Sequence, residues 1–156
     1  MASALRQRGF TLVELVMVIV LLGTLSFYAV VRMSNRSDTD AHGFAEEVSA
    51  TLRYAQKAAV AQRRLVYVNV DAGTNRLWVC LDTALACALP LTAPAGGALD
   101  HTAPSGVNLA TNGAAQISFD ALGRPSFASA LELQISASSA NYTVRVEPES
   151  GYVRRL

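Results

Sequence analysis

An uninterrupted apolar run near the N-terminus constrains this chain more than any other feature of its 156 residues. From Leu15 to Val31 there is no charged residue, and only Gly23, Thr24 and Ser26 interrupt the apolar character. A helix over residues 10–31 would be about 33 Å long at about 1.5 Å per residue, which is close to the thickness of a hydrocarbon core. The run therefore predicts a membrane-spanning helix, which we assign to residues 10–36.

Charged residues on either side of the run predict its orientation. Arg6 and Arg8 precede it without an acidic residue, whereas Arg32 and Arg36 are soon balanced by aspartates. Because positive charge is retained on the cytoplasmic side, we expect a single pass, with the N-terminus in the cytoplasm and the C-terminal part beyond the cytoplasmic membrane. Loss of residues 1–9 would change the formal net charge from +1 to −1, so bulk charge does not indicate nucleic-acid binding.

A cleaved secretory signal peptide is the alternative interpretation of the run. Such a peptide has a shorter apolar region that is followed by a small-x-small cleavage site. The stretch LSFYAVVRMSN, where that site would fall, contains no Ala-x-Ala pattern. The anchored interpretation is therefore favoured.

The stretch RGFTLVELV introduces the run and places a glycine, an aromatic residue and a carboxylate at fixed spacing. Glu14 follows Gly9 and Phe10 at a position where lipid disfavours a charge unless it is paired or reaches water. On a helix, Phe10 and Glu14 would lie one turn apart, so an amine on Phe10 would be within reach of the Glu14 carboxylate.

This stretch resembles the prepilin processing signal of type IV pilins and type II secretion pseudopilins. The resemblance implies that residues 1–9 are a leader, that a prepilin peptidase cuts between Gly9 and Phe10, and that Phe10 is then N-methylated. It also implies that Glu14 attracts the terminal amine of a neighbouring subunit and sets the stagger of assembly. A carboxylate that merely reaches the membrane interface is the alternative role for Glu14.

The segment after the run has helical periodicity. Its apolar residues recur at spacings of three and four, and they are Phe44, Val48, Leu52, Ala55 and Ala59. Most charged residues lie off this stripe. The pattern predicts an amphipathic helix over about residues 40–64 that packs its small apolar face against a sheet.

From residue 65 onward, the periodicity is that of strands separated by turns. The runs RLVYVNVD and RLWVCL, joined by DAGTN, predict a hairpin over residues 65–81. Further strands are predicted from AQISF, LELQISA and NYTVRVEP, with turns at DALG and PESG. Residues 90–114 are rich in Pro, Gly and Ala and predict a loop, with a short strand at Val107–Leu109.

This order of elements predicts an α+β protein whose residues 37–156 form a domain of one helix on an antiparallel sheet. The resemblance implies the same architecture in its pilin form, a long N-terminal helix whose first half is transmembrane and whose second half packs on the sheet.

Three further stretches, LRYAQKAAVAQRRLVYVNV, ISFDALGRPS and GYVRRL, resemble minor pilins and pseudopilins of the GspH/FimT type. The helix segment is most similar to minor pilins of mannose-sensitive haemagglutinin pilus systems. The resemblance implies a subunit of a type IV pilus or a type II secretion pseudopilus, with a priming or tip role. The implied partners are other pilins or pseudopilins, the prepilin peptidase and an inner-membrane assembly platform. The implied location is the bacterial inner membrane with a periplasmic domain, and then the filament.

Cys80 and Cys87 are the only cysteines of the chain. In an oxidising periplasm a disulfide between them is the expected state, and two free buried thiols are the alternative. Two cysteines without a third ligand do not indicate a structural zinc site. We expect no metal and no cofactor.

Arginines near the end of the chain offer a basic patch, which comprises Arg145, Arg154, Arg155 and, if it lies close, Arg124. FimT-like minor pilins are associated with DNA capture through C-terminal arginines, so the resemblance makes a DNA-uptake pilin the main alternative function. The ending SGYVRRL departs from the GRxR-like form of that activity. Solvation, or salt bridges to Glu147 and Glu149, is the role expected for exposed arginines.

No residue pattern indicates an enzyme. His42 and His101 have no cysteine or carboxylate at a recognised metal or triad spacing, and the chain has neither a glycine-rich phosphate loop nor a G-x-S-x-G stretch. We therefore expect no catalytic residue and no small-molecule substrate. A signal-anchored periplasmic enzyme stays as a further alternative, and it predicts an uncleaved N-terminus. Aromatic residues on the regular elements are expected to be packing residues, namely Tyr54, Tyr67 and Trp78.

Overall fold

The computed structural model describes residues 10–83 and 86–156, with the side chains of residues 28–35 excepted. The predicted leader, including Gly9, lies outside these residues. The chain divides into two compact units, Met1–Asn35 and Arg36–Leu156.

The first unit is helical from Leu12 onward, within a helix α1 that spans Leu12–Gln62. All side chains from Phe10 to Phe27 are exposed, including the large apolar ones. Within the described part of the chain, no helix meets both the length and the apolarity of a membrane span. The membrane-spanning assignment of residues 10–36 therefore stays a prediction.

In the second unit, α1 buries the predicted apolar stripe. Phe44, Val48, Leu52, Ala55 and Ala59 are all buried. The helix ends at Gln62, two residues before the predicted end, because Arg63 adopts a left-handed conformation with φ of 50°. The amide of Arg64 then donates to the Ala59 carbonyl at 3.2 Å, which satisfies one of the last helical carbonyls.

Eight strands follow the helix in the described part of the chain. They are β1 Val66–Asp71, β2 Arg76–Cys80, β3 Asp100–Thr102, β4 Asn108–Thr111, β5 Gln116–Phe119, β6 Leu131–Ser136, β7 Asn141–Val146 and β8 Val153–Arg155. All strand pairs are antiparallel, as predicted. They form two four-stranded sheets, in the orders β3-β2-β1-β5 and β4-β6-β7-β8.

Two features of this topology differ from the prediction. The expected single sheet is divided in two, because β5 pairs with β1 whereas β4 pairs with β6. The predicted loop 90–114 also contains β3, whose sequence Asp-His-Thr has no apolar residue. This short strand exists because the edge of β2 supplies its partners, with Leu77 opposite His101. Neither feature has a local sequence signal.

A single hydrophobic core lies between the helix of the second unit and both sheets. In β1, Val66, Val68 and Val70 face this core, as the strand alternation predicts. Asn69 alternates with them but is also fully buried. The predicted packing aromatics are half-buried, and they are Tyr54, Tyr67 and Trp78.

Candidate functional site

The start of α1 is the first candidate site, and its geometry follows from a local capping pattern. The backbone amide of Glu14 donates to Oγ1 of Thr11 at 3.2 Å, and the amide of Leu15 donates to the Thr11 carbonyl at 3.1 Å. Thr11 is therefore the N-cap, and Glu14 occupies the third helical position, which is the Thr-x-x-Glu spacing of a capping box. Phe10 precedes the cap and is 74% exposed.

The sequence predicts processing and assembly roles for Gly9, Phe10 and Glu14, and the structure describes only Phe10 and Glu14. Phe10 and Glu14 lie one turn apart at the N-terminal end of α1, but Gly9 is outside the described part. Cleavage between Gly9 and Phe10, methylation of Phe10 and the assembly role of Glu14 therefore stay predictions. The sequence analysis missed the N-cap role of Thr11, which accepts the backbone amide of Glu14, and the Thr-x-x-Glu spacing was the signal for it.

The C-terminal arginines are the second candidate site, and the structure surrounds two of them with carboxylates. Arg145 on β7 lies opposite Arg154 on β8. Oε1 of Glu147 is 3.2 Å from Nε of Arg145 and 3.2 Å from Nη2 of Arg154. Nε of Arg145 is buried and is not aligned for a hydrogen bond, so its contact with Glu147 is an ion pair by distance alone. Oε1 of Glu132 lies 3.6 Å from the Arg145 guanidinium.

The side chain of Arg155 forms its ion pair with a residue of the helix, not with a residue of a neighbouring strand. Its guanidinium contacts the Glu46 carboxylate, and its Nη1 lies 3.3 Å from Nε2 of His42. The ring of Tyr142 lies below Arg155 and makes an edge contact with His42. Arg145 and Arg154 thus share Glu147 on one face of the β7–β8 pair, whereas the side chain of Arg155 lies on the other face, against the helix, and each of the three contacts an acidic side chain.

Two details of the patch differ from the alternatives that the sequence left open. Glu149 forms no salt bridge with any described residue, and Glu132 and Glu46 take the place predicted for it. Arg124 does not join the ion pairs of the patch; it lines a shallow cleft with Pro125, Pro148 and Glu149. Strand register decides which carboxylates face the arginines, and sequence proximity does not reveal it.

The disulfide between Cys80 and Cys87 is present, with the two Cα atoms 5.6 Å apart. It holds the loop after β2 beside a polar group of β1. Nδ2 of the buried Asn69 donates to Sγ of Cys80 at 3.5 Å, and its Oδ1 accepts from Nε2 of Gln116 at 2.7 Å. Asp82 lies close to both sulfurs. Because the sulfurs are bonded to each other, they offer no thiolate to a metal ion.

A further cluster joins the helix to β3, and the sequence analysis missed it. Nδ1 of His101 is 2.6 Å from Oε1 of Glu47. Asp100, the sequence neighbour of His101, instead accepts from Nε of Arg76 at 2.7 Å, and this hydrogen bond holds the pKa of the Asp100 carboxyl below its usual value. An apolar hollow of about 360 Å³ lies beside His101, between Tyr54 and Leu99.

Comparisons with known families and solved structures agree with the fold and with the motif at the start of α1. A family described as Type II transport protein GspH matches residues 45–151, and a Prokaryotic N-terminal methylation motif matches residues 5–29. No curated protein sequence matches the chain.

Solved structures of two proteins are among those that share the fold. The type IV minor pilin FimU of Pseudomonas aeruginosa is 18% identical with a TM-score of 0.61, over 74% of this chain and 91% of that chain. The minor pseudopilin EpsH from the type 2 secretion system of Vibrio cholerae is 19% identical with a TM-score of 0.61, over 75% of this chain and 96% of that chain. At these identities the likeness shows the pilin fold and nothing finer.

Proposed function

This chain belongs to the GspH family of type II transport proteins, and we propose that it is a membrane-stored precursor that is trimmed after Gly9 and then assembled into a filament. As a member of that family with the N-terminal methylation motif, it is a minor pilin or pseudopilin. The proposal adds the cleavage position, the assembly chemistry and the partners.

The observation that carries the proposal is the exposed apolar helix behind the motif. Every side chain from Phe10 to Phe27 is exposed, and Glu14 is the only charged one among them. A helix that is apolar on all sides requires lipid or other helices around it. Before assembly, lipid supplies that environment. After assembly, the helices of neighbouring subunits replace lipid, and close packing between them holds the polymer together.

The geometry at the helix start supports processing and assembly at the same place. Phe10 lies outside the helix and is exposed, so a new amine on it would be free to meet a carboxylate. Glu14 offers such a carboxylate within the apolar segment, where an unpaired charge is costly. Pairing between the amine of one subunit and Glu14 of the next would satisfy both charges and define the stagger between subunits.

The partners follow from this cycle. A prepilin peptidase removes residues 1–9 on the cytoplasmic side, and an inner-membrane assembly platform lifts the subunit out of the membrane. The domain of residues 36–156 then faces outward, toward neighbouring subunits or cargo. Priming of assembly, or a place at the filament tip, is the role proposed for a minor subunit, in either a type IV pilus or a type II secretion pseudopilus.

The DNA-uptake alternative receives no support from the arginines. Arg145, Arg154 and Arg155 each face a carboxylate, which reduces the positive potential that phosphate binding would need. We therefore place filament assembly first.

The N-terminus of the mature chain tests the proposal. The full-length chain would be co-expressed in bacterial membranes with an active prepilin peptidase or with its inactive variant, and the terminal peptide would be identified by mass spectrometry. We expect N-methylated Phe10 as the first residue with the active peptidase and an intact leader with the inactive one. A mature chain that begins beyond the apolar run would indicate a signal peptide, and an untrimmed chain with the active peptidase would contradict the proposal.

A further inference from the structure

We propose that Asn112 is a self-modification site, at which the side-chain amide is converted to a carboxylate through attack by the backbone nitrogen of Gly113. These two residues are the only Asn–Gly pair of the sequence, and both are exposed between β4 and β5. Water is the only other reactant that the conversion requires. The site lies in the second unit and is independent of the proposed function.

The pairing of β4 with β6 holds the side chain of Asn112 in one orientation. Its backbone amide donates to the carbonyl of Glu132 at 3.1 Å, next to the last residue pair of these two strands. Its Oδ1 accepts the backbone amide of Glu132 at 2.8 Å, and its Nδ2 donates to the carbonyl of Ala130 at 3.4 Å. A backbone donor and a backbone acceptor therefore determine which end of the side-chain amide is oxygen and which is nitrogen.

The contacts around this amide bring the reacting groups together. The Glu132 amide donates to Oδ1, the atom on which negative charge develops when a nucleophile adds to Cγ of Asn112, and such a donor stabilises that charge. The nucleophile is the backbone nitrogen of Gly113, which is held next to Cγ by the chain itself. Oγ1 of Thr111 accepts the N–H of that nitrogen at 3.1 Å, so a proton acceptor lies beside it.

The reaction balances without an oxidant or a reductant. In the first step the nitrogen of Gly113 bonds to Cγ of Asn112 and closes a succinimide ring, the Cγ–Nδ2 bond breaks, and the proton of the Gly113 nitrogen leaves with Nδ2 as ammonia. In the second step water opens the ring. Its hydroxyl joins either Cγ, which gives aspartate, or the backbone carbonyl carbon, which gives isoaspartate, and its remaining proton returns to the Gly113 nitrogen.

Core packing explains why glycine occupies the position after Asn112. A Cβ on Gly113 would lie 2.5 Å from Cδ1 of Leu131, which is buried in the core. Any larger residue would therefore have to displace a core side chain. The absence of a side chain also leaves the Gly113 nitrogen unhindered as it approaches Cγ. The fold thus retains the residue that makes Asn112 reactive.

The products would change the surface at the end of β4. In the aspartate form a carboxylate oxygen replaces Nδ2, so an acceptor faces the carbonyl of Ala130 and that hydrogen bond is lost. In the isoaspartate form the backbone gains a methylene group between residues 112 and 113. Both forms add a negative charge beside a cleft of about 230 Å³ that is lined in part by Gly113, Ala130 and Leu131.

The experiment follows the asparagines of the full-length chain with time. Detergent-solubilised protein would be incubated at about pH 7 and at about pH 9. Its proteolytic peptides would be analysed by liquid chromatography and mass spectrometry, which separate the asparagine, aspartate and isoaspartate forms. Asn108 and Asn141 are internal controls, because both are exposed at the start of a strand but are followed by Leu109 and Tyr142.

We expect Asn112 to be modified about tenfold faster than either control, which corresponds to about 1.4 kcal/mol on the barrier. The rate should rise with pH, since the attacking nitrogen must lose its proton. Gly113→Ala should slow the modification of Asn112 toward the rate of the controls, because the added methyl group hinders the nitrogen. Circular dichroism of this variant would check its fold, since the methyl group also crowds Leu131.

Two results would overturn the inference. The first is a rate for Asn112 no higher than that of Asn108, because the hydrogen bonds of its side chain would then protect the amide. This comparison uses the wild-type chain alone and does not require Gly113→Ala to fold. The second is an unchanged rate in a folded Gly113→Ala variant, because the Gly113 nitrogen would then not be the nucleophile.

Discussion

Asp38 accepts hydrogen bonds from both the backbone amide and the hydroxyl of Ser139, a residue that follows it by 101 positions. The amide nitrogen of Ser139 lies 3.1 Å from Oδ1 of Asp38, and the amide of Ala140 donates to the same oxygen at 3.2 Å. This carboxylate therefore fastens the turn between β6 and β7 to the helix of the second unit.

Low pH should weaken the hydrogen bonds that Asp38 accepts from this turn. The hydrogen bond from the Ser139 hydroxyl, followed by that from its amide, lowers the pKa of Asp38 below its ordinary value. A carboxyl whose pKa is lowered in the folded state stabilises the fold above its unfolded pKa, and the contribution is lost as pH falls through the folded value. We expect Asp38→Asn to lower the urea midpoint of residues 36–156 at pH 7, with the difference from wild type shrinking below about pH 4.

Asp40→Asn is the matched control for that measurement, because among the described residues the amides of the β6–β7 turn donate to Asp38 and not to Asp40. The urea midpoint of Asp40→Asn should equal that of wild type both at pH 7 and below about pH 4. Equal effects of the two substitutions would mean that the Asp38 bonds do not stabilise the domain.

Two glycine-to-alanine substitutions should have opposite effects on stability. Gly151 has a φ of +65°, and a Cβ there would lie 2.4 Å from the Gly123 carbonyl oxygen and 2.6 Å from Nε2 of Gln56. Gly151→Ala should therefore cost about 2 kcal/mol or more, from backbone strain and the clash together. Gly43 lies within α1 and has open space around it, so Gly43→Ala should add about 0.5–1 kcal/mol. Denaturant titration of both variants measures this contrast, and destabilisation by Gly43→Ala would contradict the helix assignment there.

Removal of the disulfide should destabilise the second unit without unfolding it. Cys80 and Cys87 close a loop with a sequence separation of seven, for which the chain-entropy estimate is about 2.5 kcal/mol. Unfolding of wild type with and without a reductant should show this difference, whereas the double variant Cys80→Ser/Cys87→Ser should not respond to the reductant. Mass spectrometry of unreduced, alkylated protein checks the bond itself, and two alkylated thiols would refute it.

Glu14→Gln should separate trimming from assembly. Glutamine keeps the backbone amide that Thr11 caps and suits the same helical position, so the variant should be trimmed at the wild-type rate. It cannot pair with a terminal amine, so we expect its incorporation into filaments to fall about tenfold or more. Quantitative immunoblots of sheared filaments would measure this, and undiminished incorporation would discard the assembly role of Glu14.

The second unit should not bind duplex DNA at about 0.15 M salt. Glu147 contacts both Arg145 and Arg154, and Glu46 pairs with Arg155. A gel-shift titration of residues 36–156 should therefore give no retarded band. A salt-sensitive shift that Arg154→Ala/Arg155→Ala abolishes would establish the DNA-uptake function instead.

Features that depend on neighbours along the chain could be predicted from the sequence. The stripe from Phe44 to Ala59 is buried as its spacing predicts, because helical periodicity alone decides which side chains share a face. The turn at Asp120 forms for a similar reason: its backbone carbonyl accepts the Gly123 amide at 2.9 Å. The Cys80–Cys87 bond also joins positions that are close in sequence.

Features that join distant segments could not be predicted in this way. Arg155 pairs with Glu46, 109 residues earlier, and His101 pairs with Glu47 across the gap between β3 and the helix. Asn69 is buried although it is polar, and its partners Cys80 and Gln116 lie 11 and 47 residues away in the sequence.

The sequence by itself thus determined the apolar segment, the motif before it and the alternation of helix and strands, because each is set by residues within a few positions of one another. Tertiary structure alone decided the division into two sheets, the existence of β3 and the carboxylates that face the arginines. These depend on strand register and chain path, and contacts between residues tens of positions apart leave no periodic or local signal in the sequence.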